Sequence, residues 1–237
     1  MKAMLFAAGV GSRLKELTTH TPKCLMQIGT GTILEHVIAR LKDVGVTSVV
    51  INVHHHARQV IEFVESKRRF GLEIVFSEEP SLLDTGGGLK KVQSLFEGER
   101  AFLIHNSDIY SNADLEALLA LHGAKRNVAT LAVIKRPTDR GLFISPSSEL
   151  VGWTGETTPP PPGSTLLDFS GISVASPEIF AHMPDESVFS LIKPYLSAAR
   201  ATHRVSAALI DAQEWTDIGT PEELAALQKK LARPGGA

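Results

Sequence analysis

Residues 5–25 read Leu5-Phe6-Ala7-Ala8-Gly9-Val10-Gly11-Ser12-Arg13-Leu14-Lys15-Glu16-Leu17-Thr18-Thr19-His20-Thr21-Pro22-Lys23-Cys24-Leu25. A short apolar run opens into a glycine loop, and the loop carries Arg13 and, further on, Lys23. Such a segment can wrap a triphosphate. Gly9 and Gly11 have no Cβ, so backbone N–H groups there can approach phosphate oxygens closely. Arg13 can clamp those oxygens in bidentate fashion, and Lys23 adds a compact point charge. Pro22 fixes its own φ and biases Thr21 towards an extended conformation, which stiffens the segment bearing Lys23.

Two other phosphate loops fail on spacing. A dinucleotide fingerprint needs a third glycine where Leu14 stands and an acid at the end of the second strand, which reads Asn52. A P-loop needs Gly-Lys-Ser/Thr after four spacers, and the stretch has none.

Working outward, strand and helix signals alternate. Lys2–Ala8 reads as a buried strand. Thr32 and Glu35 form a capping box for a helix whose apolar face runs from Ile33 to Val44 and stops at Gly45. Ser48–Val53 is a β-branched strand, Ala57–Arg69 a helix, Leu72–Phe76 a strand, Gly88–Phe96 a helix and Ala101–His105 a fourth strand. Strands separated by helices predict a mostly parallel sheet covered on both faces. Further on, Asp114–His122 reads as a helix. Val128–Ile134, Leu142–Ile144, Leu150–Trp153, Leu166–Val174 and Ser206–Ile210 read as strands, and Phe189–Ala201 as a helix. Pro159–Pro162 cannot join a ladder and predicts an exposed connection. Thr220, Pro221 and Glu223 mark the start of a last helix, and 233–237 reads as a frayed tail. The expected architecture is a single α/β domain over 1–237, a Rossmann-like three-layer α/β/α sandwich.

The chain has 237 residues, a formal net charge of −2 and one cysteine. The charge argues against a nucleic-acid-binding surface, and no apolar run reaches the length of a membrane span. A lone Cys24 cannot form an internal disulfide, which fits a reducing cytoplasm, and it reads as a packed small residue.

In a sheet of this type ligands gather at the carboxyl ends of the strands. Asp108 follows the fourth strand and Asp217 precedes the last helix, and two such carboxylates can hold Mg²⁺ beside waters and phosphate oxygens. Each taken alone also reads as a cap or turn residue. Leu83-Asp84-Thr85-Gly86-Gly87-Gly88 lies between a strand and a helix. Its glycines could admit a flat base to backbone groups or simply open the helix. Glu79 and Asp84 are the polar side chains nearby. His54, His55 and His56 alternate in direction on an extended segment, so they do not read as a metal cluster.

The N-terminal order resembles the sugar-1-phosphate nucleotidylyltransferase family, whose pattern runs Leu-Ala-Ala-Gly-x-Gly-x-Arg-Leu, then Leu-Thr, then Pro-Lys-x-Leu. Ala7, Ala8, Gly9, Gly11, Arg13, Leu14, Leu17, Thr18, Pro22, Lys23 and Leu25 match it, while Phe6 and Glu16 depart. Trp215-Thr216-Asp217-Ile218-Gly219-Thr220-Pro221 matches the family's Trp-x-Asp-Ile-Gly-Thr-Pro segment. The resemblance implies a metal site at Asp108 and Asp217, with Ser107 in place of a usual glycine. It implies catalytic roles for Arg13 and Lys23, and a nucleotide site from Ala8, Gly9, Gly11, Ser12, Arg13, Lys23, Glu79, Thr85, Gly86 and Gly87. Asn106, Ser107 and Gly171 would face the sugar. The family's Glu-Lys-Pro lysine has no counterpart in Gly155-Glu156-Thr157-Thr158-Pro159, and Lys193 is the candidate replacement.

The Thr85-Gly86-Gly87-Gly88 form looks most like short uridylyltransferases acting on N-acetylmuramate 1-phosphate. That resemblance implies an Mg²⁺-dependent reaction of UTP with this acceptor, 1–110 serving mainly the nucleotide and 111–232 mainly the sugar phosphate. Alternatives are a guanylyltransferase for mannose or heptose 1-phosphate, a cytidylyltransferase for phosphocholine, or a nucleotide-sugar sensor. The expected partners are the NTP and the sugar 1-phosphate, with no nucleic acid and no membrane, in a monomer or small homo-oligomer.

Overall fold

A computed structural model of the chain describes residues 1–9, 11–156 and 158–232, without the side chains of Ser12, Lys15 and Glu16. The predicted tail at 233–237 lies outside the described residues. The first apolar run forms β1 (Lys2–Phe6). The loop after it turns into a 3-10 helix at Ser12–Thr18 and a second at Lys23–Leu25. A small hairpin of β2 (Gln27–Ile28) and β3 (Gly31–Thr32) leads into α1 (Ile33–Asp43). The predicted capping box is present: Thr32 Oγ1 accepts from Glu35 N–H, and the Glu35 carboxylate accepts from Thr32 N–H. Then come β4 (Ser48–Val53), α2 (Ala57–Ser66), β5 (Glu73–Glu78), α3 (Asp84–Lys91), β6 (Phe102–Asn106), β7 (Ile109–Ser111) and α4 (Leu115–Lys125). The second half adds β8 (Ala129–Ile134), β9 (Leu142–Ile144), β10 (Leu150–Trp153), β11 (Thr165–Ala175), α5 (Ile192–Thr202), β12 (Val205–Leu209), β13 (Trp215–Asp217) and α6 (Pro221–Leu231).

Among the described residues one nine-stranded sheet runs β10-β9-β11-β6-β1-β4-β5, with β8 and β12 joined beyond β11. It is mostly parallel: β1, β4, β5, β6, β8, β9 and β12 share one direction, and β10 and β11 oppose them. The strands β1, β4, β6, β8 and β9 are buried on both faces almost throughout, which is why they read as apolar runs without alternation. Ala3 and Leu5 of β1 face a core filled by α1, α2, α4 and α6, while Met4 and Phe6 face a second core filled by α3 and α5. The result is the expected three-layer α/β/α sandwich.

Several expected boundaries shift: β1 ends at Phe6 and not Ala8, α2 at Ser66 and not Arg69, α3 at Lys91 and not Phe96, and α5 begins at Ile192 and not Phe189. The start of α3 also moves. The sequence starts this helix at Gly88, whereas α3 already begins at Asp84 and contains all three glycines. Glycines cost a helix roughly 1 kcal/mol each relative to alanine, so something else holds this one. The chain leading to α5 lies against it. Gly86 and Gly87 N–H donate to the Phe189 carbonyl at 2.8 and 3.2 Å, and Thr85 Oγ1 accepts from Leu191 N–H at 3.0 Å. First-turn N–H groups that a helix cannot satisfy internally are met here by a neighbouring segment. A Cβ on Gly86 would overlap the Phe189 ring, and one on Gly87 the Ser187 carbonyl. Glycine is needed at these positions for close packing. Gly87→Ala is therefore expected to lower stability by about 2 kcal/mol through overpacking, read as a shift in the urea midpoint.

Two histidines are buried as neutral rings. His105 in β6 lies beside the Asn106 carbonyl at 2.8 Å, and His122 in α4 lies 3.1 Å from Thr130 Oγ1. Burial pushes each down to about 4. The unfolded chain takes up these protons near pH 6.5 and the folded chain only near 4, so between those values the unfolded state binds more protons. Stability is thus full above pH 6.5 and declines as pH falls towards 4, by at most about 1.4 kcal/mol per pH unit for each ring. Denaturation midpoints between pH 4.5 and 7 should show that slope, and His122→Gln should make it shallower.

Candidate active site

The loop after β1 is shaped before any ligand enters it. Gly11 has φ +64, and a Cβ there would lie 2.6 Å from Thr18 Cγ2. Its carbonyl accepts from Leu14 N–H at 2.9 Å and from Thr18 Oγ1–H at 3.1 Å, which closes the turn into the 3-10 helix. Gly11 is therefore required by the backbone itself. Gly9 differs: a Cβ there would meet nothing within 4 Å, because the residue borders open space. The Ser12 side chain lies outside the described residues.

Lys23 begins the second 3-10 helix, and its side chain is only 9 % exposed. Its ammonium donates to Asp108 Oδ2 at 2.5 Å and to Asp217 Oδ1 at 3.1 Å. The two aspartates stand far apart in sequence. The antiparallel pair β7–β13, which the sequence reading does not contain, sets Asp217 opposite Ile109, and Ile218 N–H donates to the Asp108 carbonyl at 3.1 Å. Arg13 reaches the same place from the glycine loop, with Nη2 at 3.4 Å from Asp217 Oδ2 and a side chain 66 % exposed. A Cβ on Gly219 would lie 2.7 Å from that guanidinium. Gly219 thus makes room for Arg13, a role no spacing in the sequence announces. Two carboxylates, one ammonium and one guanidinium leave the cluster formally neutral.

Beside the cluster opens a cavity of about 350 Å³. Ala8, Gly9, Lys23 and Asp108 line it, as do Glu79, Thr85, Asn106 and Ser107. Leu82 and Val188 also line it and remain exposed. Gly86 and Gly87 do not present their N–H groups to it, because both are bonded to Phe189. Neither residue is among those lining the cavity. Thr85 Oγ1 is likewise engaged with Leu191. Lys193 is not among the lining residues; it pairs with Glu186 at 2.8 Å on the surface.

Gly171 and Asn106 do meet. Gly171 has φ +80, and a Cβ there would lie 2.8 Å from Asn106 Nδ2. Asn52, at the end of β4, lines the same cavity, and its place after a β-branched run was the one signal for it. Cys24 is buried and its thiol is pushed up to about 12, chiefly by burial, so it packs and does not react. His54 Nδ1 donates to the Glu79 carbonyl and His56 Nε2 to the Thr18 carbonyl, which employs both rings in structure.

Comparison with known proteins agrees with this geometry. The family model described as nucleotidyl transferase matches residues 2–142. An N-acetylmuramate alpha-1-phosphate uridylyltransferase of Neisseria meningitidis serogroup B is 30 % identical over 226 residues, covering 93 % of this chain and 94 % of its own. One of the same name from Caulobacter vibrioides is 30 % identical over 245 residues, covering 97 % and 96 %. The structure of a Bacillus anthracis protein in complex with sucrose superposes with a TM-score of 0.82 at 18 % identity, covering 99 % of this chain and 96 % of that one. Among the described residues no helix is long and apolar enough to cross a membrane. The glycine loop, the paired aspartates and these relatives together place the chain in the nucleotidyl transferase family, as an enzyme of the sugar-1-phosphate nucleotidyltransferase kind.

Proposed function

We propose that the enzyme transfers a uridylyl group from UTP to N-acetylmuramate 1-phosphate in an Mg²⁺-dependent reaction that releases pyrophosphate. The observation that carries this reading is the Lys23 ammonium held between Asp108 and Asp217 beside the glycine loop. The choice of base and acceptor is supported by the two relatives of that name, each matched over nearly the whole of both chains.

Two carboxylates that already converge on one cation suit Mg²⁺, which takes one or two carboxylates with waters and phosphate oxygens. Asp108 and Asp217 would hold it, and it would supply positive charge that offsets the negative charge of the phosphates. Lys23, released from a carboxylate as the nucleotide enters, meets charge at the α-phosphate. Arg13 faces the departing pyrophosphate from the loop above. An oxygen of the sugar phosphate attacks the α-phosphorus in line, and the bond to the bridging oxygen of pyrophosphate breaks. No general base is needed, because a phosphate monoester is already ionised at pH 7. Catalysis is then positioning and charge stabilisation. Within a single domain of 1–237, residues 1–110 serve mainly the nucleotide and 111–232 mainly the sugar phosphate, which Asn106 and Ser107 would face together with Gly171. Such an acceptor places the enzyme in the recycling of cell-wall sugars in the cytoplasm.

The test is pyrophosphate release with Mg²⁺, each common NTP, and a panel of sugar phosphates plus phosphocholine. Release with UTP and N-acetylmuramate 1-phosphate is expected. Release confined to GTP with mannose or heptose 1-phosphate would replace base and acceptor together, and release confined to CTP with phosphocholine would do the same. Silence from folded protein that binds a nucleotide would indicate a sensor. Asp108→Asn and Lys23→Ala should each lower kcat by about 10²- to 10³-fold, the scale for losing one charge-stabilising group. Both variants should still give a cooperative thermal transition, and near-normal turnover in either would remove its assigned role.

A further inference from the structure

β1 stops pairing at Phe6, opposite Asn52 of β4 and Asn106 of β6. The next N–H, that of Ala7, is taken by a side chain: Asn52 Oδ1 accepts from it at 2.8 Å. The other end of that amide, Nδ2, donates to Glu79 Oε1 at 2.8 Å. Glu79 Oε2 in turn accepts from Leu83 N–H at 3.1 Å. Asn52 is 3 % exposed and Glu79 is 4 % exposed. Gly88 of α3 leaves them room, since a Cβ there would lie 2.8 Å from Glu79 Oε1 and 3.1 Å from Asn52 Nδ2. Among the described residues no ion pair involves Glu79, so its buried carboxylate is met by N–H donors. Such a group is costly to leave short of a donor.

The chain of contacts joins two walls of the cavity. At one end is the Ala7–Gly9 backbone, where the glycine loop begins; at the other is Leu83, flanked by Leu82 and Asp84 on the opposite rim. We infer that Asn52 and Glu79 are positioning residues that fix the spacing between these walls and so set the fit of the nucleobase. Glu79 acts through Asn52 and Leu83, with both oxygens employed inside the protein. The inference rests on the proposed reading of this cavity as a nucleotide site and deepens it.

The order of donors and acceptors explains the residue types. Ala7 and Leu83 each bring a donor. Asn52 offers one acceptor and one donor, and Glu79 offers two acceptors. Asn52→Asp sets two acceptors against each other at the central bond, and Glu79→Gln sets two donors against each other at one end. The double variant N52D/E79Q restores a complete chain. Its carboxylate at position 52 accepts from Ala7 and from the new amide at position 79, whose oxygen accepts from Leu83.

The measurement is calorimetric binding of UTP, GTP, CTP and ATP, and of inorganic tripolyphosphate, to the wild type and the three variants. Each single variant should weaken the best-bound nucleotide by about tenfold or more, as for a lost hydrogen bond to a charged group. Tripolyphosphate, which has no base, should bind all four proteins alike. The double variant should return to within about threefold of the wild type, since the cycle isolates the coupling between the two positions. Unchanged nucleotide binding in the single variants would overturn the inference. So would a double variant no better than the weaker single, or a loss of tripolyphosphate in step with the nucleotide. If Asn52→Asp does not fold, Glu79→Gln and the double variant decide it: the double must bind the nucleotide more tightly than Glu79→Gln alone. A wild type that binds none of the nucleotides would sink the reading of the cavity and the inference with it.

Discussion

The Lys23 ammonium between Asp108 and Asp217 is the contact on which the rest of the site depends. It draws together the loop after β1, the turn after β6 and the end of β13, three pieces the chain itself keeps far apart. Two carboxylates crowded at the sheet edge repel one another unless a cation lies between them. At a separation of about 3 Å and an effective dielectric of 20, each ion pair contributes roughly 5 kcal/mol of gross attraction. Much of that offsets the desolvation of an ammonium that is only 9 % exposed. The contact therefore adds less to stability than to geometry: it holds both aspartates aimed at one point.

Much of the fold was legible because its strands are rich in β-branched and apolar residues. Ser48–Val53, Leu142–Ile144 and Leu150–Trp153 have the bounds their β-branched and apolar residues predict. The capping boxes at Thr32 and Thr220 were legible because a cap is a local contact spanning three residues. What escaped was built over distance. β7 and β13 are three residues each and show no periodicity, yet their pairing brings Asp217 to Asp108. The start of α3 was hidden because glycine normally signals a break, and only the segment at Ser187–Phe189 reveals why three glycines sit in a helix. Lys193 sits at the surface in an ion pair. Its partner Glu186 lies seven residues away, with nothing in the sequence to mark the pair.

The site residues divide in the same way. Arg13, Lys23, Asp108 and Asp217, which the structure brings together, stood out as candidates because phosphate and metal chemistry call for those residue types and a motif supplied their order. Asn52, Gly88 and Gly219 carry no chemistry of their own. Gly219 is required by the guanidinium of Arg13 that lies over it, and Gly88 by the Glu79 carboxylate and the Asn52 amide that need space, so each is explained by a side chain from another element. Residues of this supporting kind are invisible to any reading that looks for reactive groups.

The same long-range dependence governs the contact between Gly171 and Asn106. β11 pairs with β9 through Thr165–Leu167 and with β6 through Ile172–Ala175, and its register against β8 shifts between Phe169 and Ser173. Three residues there oppose one on β8, a bulge that bends the strand and leaves ladder groups unpaired. Gly171 takes the positive φ that this bend requires. The freed Ser170 carbonyl accepts from Trp215 Nε1 at 2.8 Å, and the Arg136 guanidinium lies 4.6 Å from the Trp215 ring while its Nε donates to Asp168. Trp215 begins β13, the strand that ends in Asp217. The strand that delivers a carboxylate to Lys23 thus also closes the bulge that sets Gly171 against Asn106. Displacing either contact must disturb the other, so the charged cluster and the Gly171–Asn106 contact form one mechanical unit.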